Sequence, residues 1–280
     1  MTYDPRLTPM RPDLAAAHLK GKVEAARFVE GTPREVVDAQ TPVRRSPSPD
    51  AAYETEALKG ERVTVYETTE EGWSWGQLEG DGYVGWLPAN ALAAPGPAPT
   101  HRVCVLRTLV FPGLSIKLPP LEALSFGTRV AITRVEDTLA VTASGGAVPA
   151  GHLAPLRTTE SDPVAVAEKF LNVPYLWGGK TSFGIDCSGL VQTALTACNI
   201  PCPRDSDMQE RDVGTARPLS LSEVRRGDLL FWKGHVAMVC DWATIIHANA
   251  HHMAVAMEPM REAVDRIRAA GSELISIRRP

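Results

Sequence analysis

Pro174-Tyr175-Leu176-Trp177-Gly178-Gly179, continuing into Ile185-Asp186-Cys187-Ser188-Gly189-Leu190, is the stretch on which the reading of this chain turns. It is a glycine-rich loop that ends in a cysteine. Beyond the cysteine, Leu190, Ala194, Leu195 and Ala197 recur near a period of 3.6, which predicts a helix with Cys187 on its first turn. A thiol at that position meets unpaired backbone N–H groups and the positive end of the helix dipole, which favour the thiolate. The spacing therefore predicts a nucleophile.

A nucleophile needs a base, and the base needs a group to orient it. Asp228 to Trp232 and His235 to Val239 read as short buried strands joined by Lys233-Gly234, and Thr244 to Asn249 reads as a third. His235 opens the second strand and His247 lies inside the third. The chain order is thus cysteine, histidine, then a second histidine.

Five blocks carry a family resemblance: Pro-Tyr-Leu-Trp-Gly-Gly, Asp186-Cys187-Ser188-Gly189-Leu190, Arg225 to Trp232, Gly234-His235-Val236 and Ile246-His247-Ala248. In this order they resemble the NlpC family of bacterial cell-wall cysteine peptidases, over roughly residues 160–280. The resemblance implies an α+β, papain-like NlpC catalytic domain in which Cys187 attacks and His235 is base and then acid. It implies His247 as the clamp on His235, and the Tyr175 hydroxyl with the Cys187 N–H as oxyanion donors.

Upstream, residues 1–34 contain a predicted helical arm, from about Asp13 to the stop at Gly31-Thr32-Pro33. Residues 35–93 alternate in strand fashion between turn signals, and Asp81 to Pro88 is similar to the end of bacterial SH3-like domains. Ala93 to Thr100 is a Pro/Ala-rich linker. Residues 101–157 repeat the theme faintly, with Pro149 to Leu153 closing the unit as Leu87-Pro88-Ala89 closes the first. Two small SH3-like β-barrels are expected. Trp73, Trp75, Tyr83 and Trp86 make the first aromatic, as core or as a ligand-facing wall.

Two such barrels before an NlpC-type domain resemble the γ-D-glutamyl-L-diamino acid endopeptidases of muropeptide recycling. That likeness implies a murein peptide substrate, L-Ala-γ-D-Glu-diamino acid, with a free N-terminal L-Ala, and release of L-Ala-γ-D-Glu. It implies that Asp186 helps hold the amine, with Tyr83 the candidate barrel hydroxyl. Ser188, Arg204 and Ser206 are candidates for the D-Glu carboxylate, and Trp177 is a further candidate for substrate binding. A solvated helix cap at Asp205 or Ser206 is the plainer reading of that segment. Hydrolysis of intact peptidoglycan and a non-catalytic fragment-binding role are the alternatives.

The remaining signals exclude more than they propose. Twenty-nine basic against 33 acidic residues give a net charge of -4, with no basic cluster for nucleic acid. Five cysteines form no disulfide framework and suit a reducing compartment. Cys198 and Cys202 have no second pair at zinc-site spacing, and Gly178-Gly179-Lys180-Thr181 lacks the leading glycine of a phosphate-binding loop. No cofactor and no metal are called for. The first thirty residues contain no continuous apolar run, and no span suited to a membrane occurs, so a cytoplasmic location is expected.

Overall fold

The computed structural model describes residues 3–280, which divide into two compact units on either side of the Leu156–Arg157 bond. In the first unit a seven-stranded sheet runs in the order 53–58, 40–44, 84–88, 73–78, 62–68, 32–36, 92–93. Its strands alternate, and the inward set Val36, Val43, Ala57, Val63, Val65, Leu78, Tyr83 and Leu87 makes the core. The barrel takes its first strand from Thr32, three residues before the expected boundary. Residues 101–155 form a second set of short strands around Val103, Val110, Leu124, Val130 and Val148. Both sets close alike. A proline (Pro88, Pro149) leads into a 3-10 turn and then a strand that pairs back onto the set's first strand.

The expected helical arm is not a helix. Leu14–Ala16 and Arg27–Val29 pair as parallel strands around a 3-10 turn at Ala17–Leu19. Leu14, Ala15 and Ala16 are all fully buried, and an amphipathic helix could not hide three consecutive residues. Leu14 packs on Trp75, Val84 and Trp86, while the Arg11 guanidinium lies 4.5 Å and 4.9 Å from the Trp75 and Trp86 rings. The aromatic wall of the first barrel is therefore covered by the chain's own N-terminal segment.

The second unit is built on a six-stranded antiparallel sheet in the order 215–217, 274–279, 229–232, 235–239, 244–249, 254–259. The three strands expected from the sequence are present with nearly the expected bounds. Helix α2 (Cys187–Ala197) packs against the strands His235–Val239 and Thr244–Asn249, and helix α1 (Pro163–Glu168) packs on α2 and on Thr244–Asn249. Helix α3 (Ser206–Asp212) follows. Helix α4 (Met260–Ala269) buries Met260, Ala263 and Val264 against Leu230, Trp232, Ala237, Val239 and Ile245. Layers on the sheet explain why its central strands read as unbroken apolar runs. No described helix is long and apolar enough to cross a membrane.

Candidate active site

Cys187 is the first residue of α2, and Asp186 is its N-cap. The Asp186 carboxylate accepts from Gly189 N at 2.7 Å, from Gly178 N at 2.9 Å and from the Ser188 hydroxyl at 3.2 Å. The loop can press this close because it is glycine. A Cβ on Gly189 would stand 2.4 Å from the Gly179 carbonyl oxygen, and Gly178 has φ +76°. The Val236 and Ser188 N–H groups lie near the thiol and favour its thiolate, as does Arg204.

Burial nevertheless pushes the Cys187 thiol up to about 12, with the Asp186 charge acting in the same direction. This corrects the expectation of a lowered thiol. The cap has consumed one of the helix's free N–H groups and placed a carboxylate beside the sulfur. In the resting protein Cys187 is a neutral thiol.

His235 and His247 meet as the register requires. Met238 pairs with Ile246, so continuing that register puts Ala237 opposite His247, and His235 lies on the same face two residues away. His235 Nε2 is 2.8 Å from His247 Nδ1. Burial pushes His235 down to about 3, and the neighbouring His247 adds to this. Burial also lowers His247, against the attraction of Glu258.

Glu258 has no place in the sequence reading. It pairs with Ile245, while His247 pairs with Ala256, so Glu258 is the diagonal same-face neighbour of His247. Its Oε1 is 2.6 Å from His247 Nε2 and 2.5 Å from the Arg266 guanidinium on α4. Burial works against ionisation there, yet the His247 hydrogen bond and Arg266 hold Glu258 below the usual carboxylate range. A line of four side chains thus runs from His235 through His247 and Glu258 to Arg266. Period-two alternation in Ala254–Pro259 would have set Glu258 on one face, but only the strand pairing assigns it to His247.

Tyr175 is half-buried, and burial, then the charges of Cys187 and Asp186, push its hydroxyl up to about 12. It stays protonated and able to donate. Trp177 is 66% exposed on the same loop. Ser206 is the first residue of α3, with Asp205 as N-cap and no side-chain cap bond.

Four expected ligand residues, Arg204, Ser188, Asp186 and Tyr83, are engaged by the protein itself. Arg204 is 1% exposed and grips Asp186 with both terminal nitrogens, at 2.9 Å and 2.7 Å, while also donating to Ser188 and to Gly179 O. It braces the loop against the helix instead of facing a carboxylate ligand. Ser188 is buried in the same knot, and Gln209 closes it by donating to Ser188 O at 2.9 Å. Asp186 is an already paired carboxylate, so an amine arriving there would share it with Arg204. Tyr83, in the first unit, is 1% exposed within its barrel core, and its hydroxyl donates to Glu54 Oε2 at 3.3 Å. In this structure that hydroxyl is not open to a ligand.

Residues 172–269 match the NlpC/P60 family model, and residues 43–92 match the bacterial dipeptidyl-peptidase SH3 domain. The chain carries an NlpC/P60 domain. An SH3 domain of the bacterial dipeptidyl-peptidase type precedes it. A gamma-D-glutamyl-L-lysine dipeptidyl-peptidase from Bacillus cereus is 29% identical over 243 residues, 74% of this chain and 70% of that protein. The protein of the same name from Bacillus subtilis is 28% identical over 226 residues, 71% and 73% of the two chains. Among solved structures, an NlpC/P60 family protein from Bacillus cereus superposes with a TM-score of 0.74 over 89% of this chain and 99% of its own. At 22% identity that likeness speaks for the fold. The fold of the NlpC/P60 unit is mixed α/β, with more strands than helices. Among the described residues no group of three or more His, Cys, Asp or Glu side chains is placed to hold a metal ion.

Proposed function

We propose that this protein is a cysteine peptidase that cleaves the γ-D-Glu–diamino acid bond of peptidoglycan-derived peptides and releases L-Ala-γ-D-Glu. The observation that carries the peptidase reading is a helix-N-terminal thiol against the start of the strand that His235 opens, with His247 of the neighbouring strand bonded to His235. The names of the Bacillus relatives support the γ-D-glutamyl bond as the target.

In this reading the Cys187 proton passes to His235, and the thiolate attacks the γ-carbonyl of D-Glu. The Cys187 N–H and the Tyr175 hydroxyl meet the oxyanion. The tetrahedral intermediate collapses to a thioester as His235 protonates the leaving amine of the diamino acid. A water, deprotonated by His235, then hydrolyses the thioester. Trp177 and Ser206 are assigned to substrate binding, and a free N-terminal L-Ala is required. Five cysteines, none in a disulfide among the described residues, suit a reducing compartment, and the substrate is a soluble wall fragment in the cytoplasm.

The test is mass-spectrometric cleavage of L-Ala-γ-D-Glu-meso-diaminopimelate and its L-lysine counterpart, each with a free and an acetylated amine, with Cys187→Ala as control. Cleavage of the free-amine peptides alone, lost in the variant, is the expected result. Equal cleavage of acetylated peptides would move the substrate to intact wall. Fractionation of expressing cells checks the location.

A further inference from the structure

We infer that Glu258 is a positioning residue that selects the tautomers of both imidazoles and so makes His235 Nδ1 the basic nitrogen. The inference rests on the peptidase reading above for its catalytic consequence, though not for its geometry.

An ionised carboxylate only accepts hydrogen bonds. The 2.6 Å contact therefore requires a proton on His247 Nε2. A neutral His247 carrying that proton has a bare Nδ1, which can only accept. The 2.8 Å contact between the rings then requires a proton on His235 Nε2. Neutral His235 is left with its lone pair on Nδ1, and among the described residues Nδ1 makes no other hydrogen bond. Each tautomer is dictated by the one before it, starting from Glu258.

Transfer of the Cys187 Sγ proton to Nδ1 leaves a thiolate and an imidazolium, with no change in net charge. The imidazolium is then hydrogen-bonded through Nε2 to a chain that ends in a negative charge. Without a fixed acceptor at its far end the chain could run in either direction. The reversed chain puts the proton on His235 Nδ1 and abolishes the base.

The charged and titratable groups around Glu258 are His247 from its neighbouring strand, Arg266 from α4 and His252 from the turn before Ala254, with His235 one ring further. The His247 hydrogen bond and the Arg266 ion pair together keep Glu258 ionised in a site only 11% exposed.

The experiment compares the full-length protein with Glu258→Gln and Glu258→Asp. A glutamine can donate as well as accept, so it fits both chain directions, while aspartate retains an acceptor-only end. Glu258→Gln is expected to lower kcat about 10–100-fold, the usual cost of losing an orienting partner, with KM within about twofold and thermal midpoint unchanged. Glu258→Asp is expected to recover most of that loss. Independently of any substrate, 15N-histidine spectra at pH 7 should show Nε2 protonated and Nδ1 bare on both rings, and a mixed pattern in Glu258→Gln. A protonated His235 Nδ1 in the unsubstituted protein would overturn the inference, as would full kcat in Glu258→Gln. Equal damage in both variants with a lowered thermal midpoint would also overturn it, in favour of a packing role. If the unsubstituted protein cleaves none of the peptides, the substrate reading fails alone, and the spectra still decide the role of Glu258.

Discussion

At the scale of single residues, the resting state is a neutral thiol beside a neutral imidazole. The active pair holds one proton, whichever atom carries it. A second proton enters only below the lowered His235 value near 3, and the single proton leaves only near the raised Cys187 value of about 12. The profile of kcat/KM should therefore be flat from about pH 6 to 9, wider on both sides than free histidine and cysteine would allow. A steep limb near 6.5 in a pH–rate series would contradict this. Tyr175→Phe removes a donor that stays protonated throughout that range, and should lower kcat about 100- to 1000-fold with little change in KM. Steady-state kinetics on the cleaved peptide check it.

The local motif around these residues was visible in sequence because it is contiguous. The glycine-rich loop before Cys187 and the helical period after it place the helix start within a few positions. The role of Arg204 was misjudged because its partner Asp186 lies 18 residues earlier, and a buried cation looks the same in sequence as an exposed one. Arg204→Met should destabilise the peptidase unit by about 3–5 kcal/mol, since it strands a buried carboxylate without its counter-charge. Urea denaturation at pH 7 measures the loss.

At the scale of elements, α2 depends on how closely its first turn meets the glycine loop. Gly189→Ala inserts a methyl 2.4 Å from the Gly179 carbonyl oxygen, which is backbone and cannot swing aside. It should cost about 1–3 kcal/mol and displace Cys187, so that activity falls more than stability does. Peptide cleavage at a temperature where the variant is still folded separates the two effects. The three central strands of the peptidase unit were legible because apolar runs of four to six residues end at turn residues such as Lys233-Gly234. The segment from Asp13 to Glu30 was not. Its alanines suit a helix locally, but Leu14, Ala15 and Ala16 are all buried by tertiary packing against the barrel's tryptophans. Helix propensity of a few tenths of a kcal/mol per residue yields to that burial.

At the scale of the whole molecule, the buried histidines tie stability to pH. His235 and His247 both have lowered values in the folded state, whereas in the unfolded chain they titrate near 6.5. Below 6.5 the unfolded chain binds the extra protons, so stability falls with falling pH, by at most about 1.4 kcal/mol per pH unit for each group. Glu258 and Asp162 are held below the usual carboxylate range and stay ionised through the upper part of this window. Urea midpoints at pH 7, 6 and 5 should therefore decline, and His235→Asn should flatten the decline. A midpoint unchanged down to pH 5 would contradict the burial of the pair.

The sequence by itself determined the ordered blocks, the helix that begins at Cys187, the strands that carry His235 and His247, and the alternating barrel before them. These follow from local chemistry: glycine in tight loops, turn residues between strands, and the two side-chain periods. Only the tertiary structure decided that Arg204 is bound to Asp186, that the N-terminal segment covers the barrel's aromatic wall, and that Glu258 and Arg266 extend the histidine pair. Each of those is a contact between residues far apart in the chain, set by strand register and by burial, and neither is encoded in any short window of sequence.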